Sequence, residues 1–235
     1  MNLELTSLSN VRNRSLGELV YEAIRERIVT LEYRPGMMLY ENDLAAAMEV
    51  SRTPIREAIR LLVREQLLEV LPQRGTRIAF ISEQKVNEAR FVRLQLELGA
   101  ISLAAAQWNE VQHKQLKLRL LQLLEQQAEA AAADHHVLFM QLDEAFHHEL
   151  LALSGNDTLL QMIAQMRGHL NRVRLLALQQ DQHMEQLIKE HREILQAVEE
   201  HDTEQVSMLL NQHIGGLNEL MQGLRRDNPT YFSKQ

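Results

Sequence analysis

Asp143 and His147 stand four positions apart in "DEAFHHEL" (143–150), within a stretch that reads as helix. Four residues is slightly more than one helical turn, so both side chains project from the same face. Burying such a pair is costly unless a metal, a catalytic role or a hydrogen-bond network holds it. Two further histidines, His191 and His213, lie at nearly equal distances on either side of a break near 201–202. In an antiparallel helical hairpin they come level and face each other if their rotational phases agree. One carboxylate and three neutral imidazoles suit Zn, Ni or Mn, with positions left for water or a ligand. Spacing alone equally admits four unrelated, separately satisfied residues. His113, His135, His136 and His201, on polar faces or at helix ends, read as solvated.

A metal set of this kind also serves hydrolases, so a metal-dependent enzyme using the Asp/His3 site is the alternative reading. "HHELLA" begins like a zincin helix, but Ala152 stands where the second histidine is needed. Glu144 and Glu149 fall on other faces of the helix and are badly placed as a general base. Neither a nucleophile elbow nor a phosphate-cradling glycine loop nor a dinucleotide fingerprint is present.

The elements that must position these residues are helical. Aromatics are scarce, and the chain holds only 9 Gly and 4 Pro, a composition that favours an all-helical fold. With no Cys, disulfides and thiolate chemistry are excluded, which suits a reducing cytoplasm. No N-terminal run resembles a signal peptide and no stretch is apolar enough to span a bilayer, so a cytoplasmic protein with no membrane partner is expected. From residue 82 the pattern predicts six helices, near 82–107, 109–131, 134–154, 157–179, 182–200 and 202–224. "DNPTYFSKQ" reads as a loose tail.

The N-terminal part differs in charge. Residues 1–80 carry Arg as their only cation and balance it with acids, whereas the rest of the chain holds the whole net charge of −7. Arg makes bidentate contacts to phosphate and guanine that Lys does not match. Helices are predicted over 15–32, capped by Ser15, and over about 41–48, with "YRPG" (33–36) as a turn between them and "MML" as a short extended piece. In "SRTPIREAIRLLVR", Ile55, Ala58, Ile59, Leu62 and Val63 form an apolar stripe, while Arg52, Arg56, Arg60 and Arg64 recur every fourth residue on the polar face. Two extended runs, 67–71 and 77–81, follow, joined by "PQRGT". This is the layout of a winged helix-turn-helix, whose third helix presents its N-terminal residues to the major groove. Arg spacing alone does not separate that reading from a merely soluble amphipathic helix.

"LYENDLAAAMEVSRTPIREAIRLLVREQLLEVLPQRGTRIAFI" resembles the DNA-binding domain of the GntR family of bacterial transcription regulators, over about residues 15–80. The resemblance implies operator binding through Arg52, Arg56 and the wing around Arg74 and Gly75, with Ser51 and Thr53 placed to reach phosphate. Some members carry a base-contacting Arg in the second helix; here that position is Asn42, which leaves base preference there open. Residues 82–224 resemble the FCD-type effector domain of the FadR-like branch. The matching segments are "RLQLELGAISLAA", "DEAFHHELLALSGN", "EHREILQAVEEHD" and "LLNQHI". Position by position, the family's metal ligands fall on Asp143, His147, His191 and His213. Six helices rather than seven point to the VanR-like group. Family effectors are small carboxylates bound beside the metal. Arg93 matches an Arg able to pair with such a ligand, or else with Glu97, and His169 is a further pocket candidate.

The sequence therefore predicts a mainly α protein. Residues 1–14 form an N-terminal arm, 15–81 a winged helix-turn-helix, 82–224 an antiparallel helical bundle for effector binding and dimerisation, and 225–235 a tail. The expected function is a homodimeric repressor whose affinity for double-stranded operator DNA is set by a small organic acid at a divalent metal, Zn before Ni or Mn.

Overall fold

Ser15 caps α1 (Leu16–Val29) in a capping box: its hydroxyl accepts from the Glu18 amide while the Glu18 carboxylate accepts from the Ser15 amide. The computed structural model containing this helix describes residues 15–233, so the expected N-terminal arm, 1–14, and residues 234–235 lie outside the described residues. The chain divides between Phe80 and Ile81 into two compact units.

In the first unit, α1 is followed by β1 (Met38–Leu39), α2 (Glu41–Ala47) and α3 (Arg52–Arg64), then by the hairpin of β2 (Leu68–Leu71) and β3 (Gly75–Ile78). The core gathers Val20, Ile24 and Ile28 of α1 with Ile55, Ala58, Ile59 and Leu62 of α3. These are the stripes a 3.6-residue period dictates. "MML" is more than an extended connector, because β1 pairs antiparallel with β3 and the sheet order is β1-β3-β2. The third strand begins at Gly75 rather than 77. There Leu71 pairs with Gly75 across the turn, Gln73 (φ 61°) and Gly75 (φ 105°) take left-handed backbone, and a Cβ on Gly75 would press on the Tyr40 ring.

The second unit contains α4 (Glu83–Ala106), α5 (Lys114–Ala132), α6 (His136–Ala152), α7 (Asp157–Ala177), α8 (His183–Glu199), α9 (Thr203–Gly215) and α10 (Leu217–Asp227). Seven helices, not six, are found among its described residues. The run expected as one helix over 202–224 is interrupted at Gly216, so the helix count that pointed to a VanR-like group does not hold. α5 starts at Lys114 rather than 109 because the Asn109 side chain accepts from the Val111 and Gln112 amides, an Asx turn that competes with helix. The tail is not loose. Ile81 donates to the Tyr231 carbonyl and accepts from Ser233, a short parallel bridge that leaves Phe232 only 4% exposed. The aromatic ring supplies the apolar area that the surrounding polar residues lack.

The core of this unit is an apolar layer of Ile101, Leu120, Phe146, Leu150, Ile194 and Leu210, with others around them. Next to it the same buried stripes change character. Glu97 on α4, Gln127 on α5, Asp143 and His147 on α6, His191 on α8 and His213 on α9 are all buried. Five helices thus contribute polar side chains to the buried interior of an otherwise apolar bundle.

Candidate metal centre and nucleic-acid interface

On α6, Asp143 and His147 lie one turn apart with Phe146 between them, and the turn between α8 and α9 brings His191 and His213 to within 4.8 Å between ring centroids. One ligand atom from each of Asp143, His147, His191 and His213 falls within 4.8 Å of the other three. None of the four is more than 9% exposed. Phe146 stacks on His191 at 4.7 Å and fixes the plane of that ring from the apolar side.

His213 and His191 are each held by their Nδ1. His213 Nδ1 lies 2.7 Å from Glu190 Oε2, and His191 Nδ1 lies 2.8 Å from Gln127 Oε1. Gln127 is itself oriented, since its amide donates to the Leu142 carbonyl. His147 Nδ1 is 2.8 Å from Glu97 Oε2, a short approach poorly aligned for a hydrogen bond. A proton on each Nδ1, opposite these acceptors, would leave the three Nε2 atoms as lone pairs. His147 Nε2 and His213 Nε2 face each other at 3.1 Å, and His191 Nε2 has no hydrogen-bond partner among the described residues.

The electrostatics keep Asp143, His147 and His191 in their ligating forms. Burial holds His191 well below the ordinary imidazole range, with His213 adding to the effect, and burial lowers His147 despite the opposing pull of Glu97. Burial would raise the Asp143 carboxyl, but Arg174, His147 and His191 outweigh it and hold it well below its usual value. Asp143 Oδ2 pairs with Arg174, and Oδ1 lies 3.5 Å from His191 Nε2. Converging lone pairs around an anionic oxygen, with no proton to share between them, fit a divalent cation.

Beside this cluster lies a cavity of about 620 Å³ whose lining includes Asp143, His213, Arg90, Arg93, Arg174 and His183. The break at Gly216 allows α9 and the start of α10 both to contribute to its wall. Arg93 lines the cavity, but its Nε sits 2.5 Å from Glu97 Oε1; burial lowers its pKa less than Glu97 and Asp143 raise it. Its guanidinium is therefore largely neutralised by Glu97. His169 does not belong to the lining. It is buried elsewhere on α7, where its Nδ1 accepts from the Ser82 amide and lies 2.8 Å from Arg172 Nη2. His183, at the start of α8, is the lining histidine instead, along with His213.

Sequence reasoning missed Glu97, Gln127 and Glu190 as the groups that orient the imidazoles, and Arg174 as the partner of Asp143. Glu190 adjoins His191, and Glu97 sits one turn from Arg93, so both carried a local signal. Gln127 carried none, because its partner is 64 residues away.

In the first unit, Asn42, Arg52, Arg56 and Gly75 line one shallow groove between the starts of α2 and α3 and the wing. Ser51 takes the N-cap position of α3 without using its hydroxyl as a cap. Ser51, Thr53, Arg74 and all four arginines of α3 are exposed. Sequence reasoning also missed Glu41. Its Oε2 lies 3.0 Å from Arg52 Nη2 and 2.8 Å from Arg56 Nε. Those hydrogen bonds, Arg56 first, lower the Glu41 pKa.

Residues 16–78 match the model of bacterial regulatory proteins of the gntR family, and residues 88–216 match the FCD domain. The chain is 32% identical over 214 residues to an uncharacterized HTH-type transcriptional regulator in unstable DNA locus of Streptomyces ambofaciens, covering 91% of this chain and 88% of that protein. It is 28% identical over 220 residues to the HTH-type transcriptional repressor RspR of Escherichia coli K12, covering 94% and 95%. Among solved structures, E. coli McbR/YncC superposes with a TM-score of 0.76 at 21% identity, covering 91% of this chain and 99% of that one. At that identity the likeness concerns fold.

Proposed function

The chain belongs to the gntR family of bacterial regulatory proteins, with a C-terminal FCD domain, and on that premise we propose that it is an operator-binding repressor controlled by a small carboxylate beside a divalent metal. It is a transcriptional regulator rather than an enzyme, as the family and its relatives are. Among the described residues no helix is long and apolar enough to cross a membrane.

Asp143, His147, His191 and His213 would hold the metal, with zinc the first choice and Ni or Mn the alternatives. When bound, it supplies a Lewis-acidic site for an acid's carboxylate oxygen. The observation that carries this reading is that three Nδ1 atoms face Glu97, Gln127 and Glu190 while one ligand atom from each histidine gathers with Asp143 within 4.8 Å, and Asp143 and His213 line an arginine-lined cavity. Such outer partners orient and tune metal-ligating imidazoles.

DNA contact falls to Arg52 and Arg56 at the start of α3, with Ser51, Thr53 and Asn42 beside them and Arg74 and Gly75 on the wing. A second copy of the chain supplies the second recognition helix for a two-fold operator. The acid acts by binding one arrangement of the bundle more tightly than the other, a coupling of about 1–3 kcal/mol.

The test is to incubate the purified chain with sheared genomic DNA, sequence what it retains, and repeat with the fragment's own metabolic acids added. Enrichment of a short palindrome that the acid releases supports the repressor. Equal retention of all sequences, or an enriched site indifferent to every acid and to metal removal, overturns it.

A further inference from the structure

Three guanidiniums reach the cavity beside the metal set, and they are not equivalent. Arg93 is paired with Glu97 and Arg174 with Asp143. Arg90 is part-buried, lines the same cavity, and has no ion pair or hydrogen bond to its side chain among the described residues; its Nε is fully shielded from solvent. Acids also reach the lining, but Glu190 is engaged by His213 and Glu219 is exposed at the rim. A shielded Nε without an acceptor is costly, and a carboxylate satisfies a guanidinium with two parallel hydrogen bonds.

The position of Arg90 determines which carboxylate it can meet. It precedes Arg93 by three residues on α4, on the same helix face and on the order of 5 Å further along the axis. Arg93 is close enough to Asp143 for the two charges to interact. Arg90 and Asp143 line the same cavity, so a ligand whose first carboxylate lies at the metal ligands can extend its far end to Arg90.

We propose that Arg90 is the specificity-determining residue of the cavity and selects acids that carry a second carboxylate about one helical turn from the first. This inference rests on the reading that a small acid binds beside the metal set. The class it names is the short dicarboxylic acid. Asn211 and Gln212 also line the cavity, and their amides suit the hydroxyls of a sugar diacid as well as a plain chain.

The experiment is calorimetric titration of the full, zinc-loaded chain with matched acids: succinate against butyrate, adipate against hexanoate, galactarate against galactonate. In the wild type, at least one diacid binds about tenfold more tightly than its monoacid partner. Arg90→Ala removes that gap, with circular dichroism and zinc stoichiometry as in the wild type showing that the variant is folded; Arg90→Lys keeps part of the gap. A wild type that binds both members of every pair equally, or a gap that survives Arg90→Ala, overturns the proposal and leaves the acid-binding reading standing. If none of the six acids binds, or if binding is unaltered in His191→Ala/His213→Ala, that underlying reading fails and this inference with it.

Discussion

His147 and His213 point their Nε2 atoms at each other across 3.1 Å, and both rings carry an acceptor opposite Nδ1. Where both Nδ1 atoms carry the proton, two Nε2 lone pairs meet at that distance and repel. Adding a proton to relieve the contact creates a buried imidazolium, which the surroundings of His147 disfavour. A cation relieves the same contact and satisfies His191 Nε2 as well.

Metal removal should therefore be visible as lost stability. Zinc at a hundredfold excess over its dissociation constant contributes about 2.7 kcal/mol to the folded state. Chelation should lower the melting temperature by several degrees, and stoichiometric zinc should restore it. His191→Ala/His213→Ala should show neither effect. A melting curve unchanged by chelator in the wild type, with metal analysis confirming its removal, argues against a cation at this place.

Gln127 offers a finer test, since its side-chain hydrogen bonds among the described residues are with His191 Nδ1 and the Leu142 carbonyl. Replacing it by Leu frees the His191 ring to turn while keeping a buried apolar side chain. Zinc affinity should fall by about 10- to 100-fold, measured by competition with a chromophoric chelator. Unchanged affinity means that the orientation of His191 does not depend on Gln127.

Arg52→Ala and Arg56→Ala should each weaken duplex binding while leaving metal content as in the wild type. Glu41→Gln should do the opposite. It removes the carboxylate that both arginines now share, an exposed pairing in the class worth about 0.2–1 kcal/mol. Non-specific duplex affinity should rise by a few-fold at low salt, as read by fluorescence anisotropy. If Glu41→Gln binds DNA no better than wild type, the pairing with Glu41 does not hold the arginines back from phosphate.

Phe232→Ala should destabilise the second unit by about 3 kcal/mol, the range for emptying an aromatic site. Zinc binding and DNA binding should survive at low temperature. A loss well under 1 kcal/mol in chemical denaturation shows that the docked tail packs more loosely than its burial implies.

Much of this was legible where the information is local. The stripe and arginine row of α3 follow from a period of 3.6, and Asp143 and His147 share a face for the same reason. His191 and His213 come level because the turn near 201 is short and their distances from it are nearly equal. Gln127 could not be read, because what makes it matter is a partner on another helix. The same holds for Arg174, Glu41 and the pairing of Ile81 with Phe232. His169 was misplaced for a related reason: its partner Ser82 lies 87 residues away, outside the reach of helical period. The break at Gly216 had a local mark in two adjacent glycines, yet Gly216 keeps right-handed helical backbone (φ −55°), so nothing there demanded a stop.

The bridge between Ile81 and Phe232 bears on the order of events at the ribosome. Ile81, the first residue of the second unit, waits for Phe232, about 150 residues later, before its backbone is paired. Residues 15–80 have a core of their own and are complete long before that. At typical synthesis rates the interval is on the order of ten seconds. During it α3, with its exposed arginine row, is displayed before α6, α8 and α9, which carry Asp143, His147, His191 and His213, have assembled.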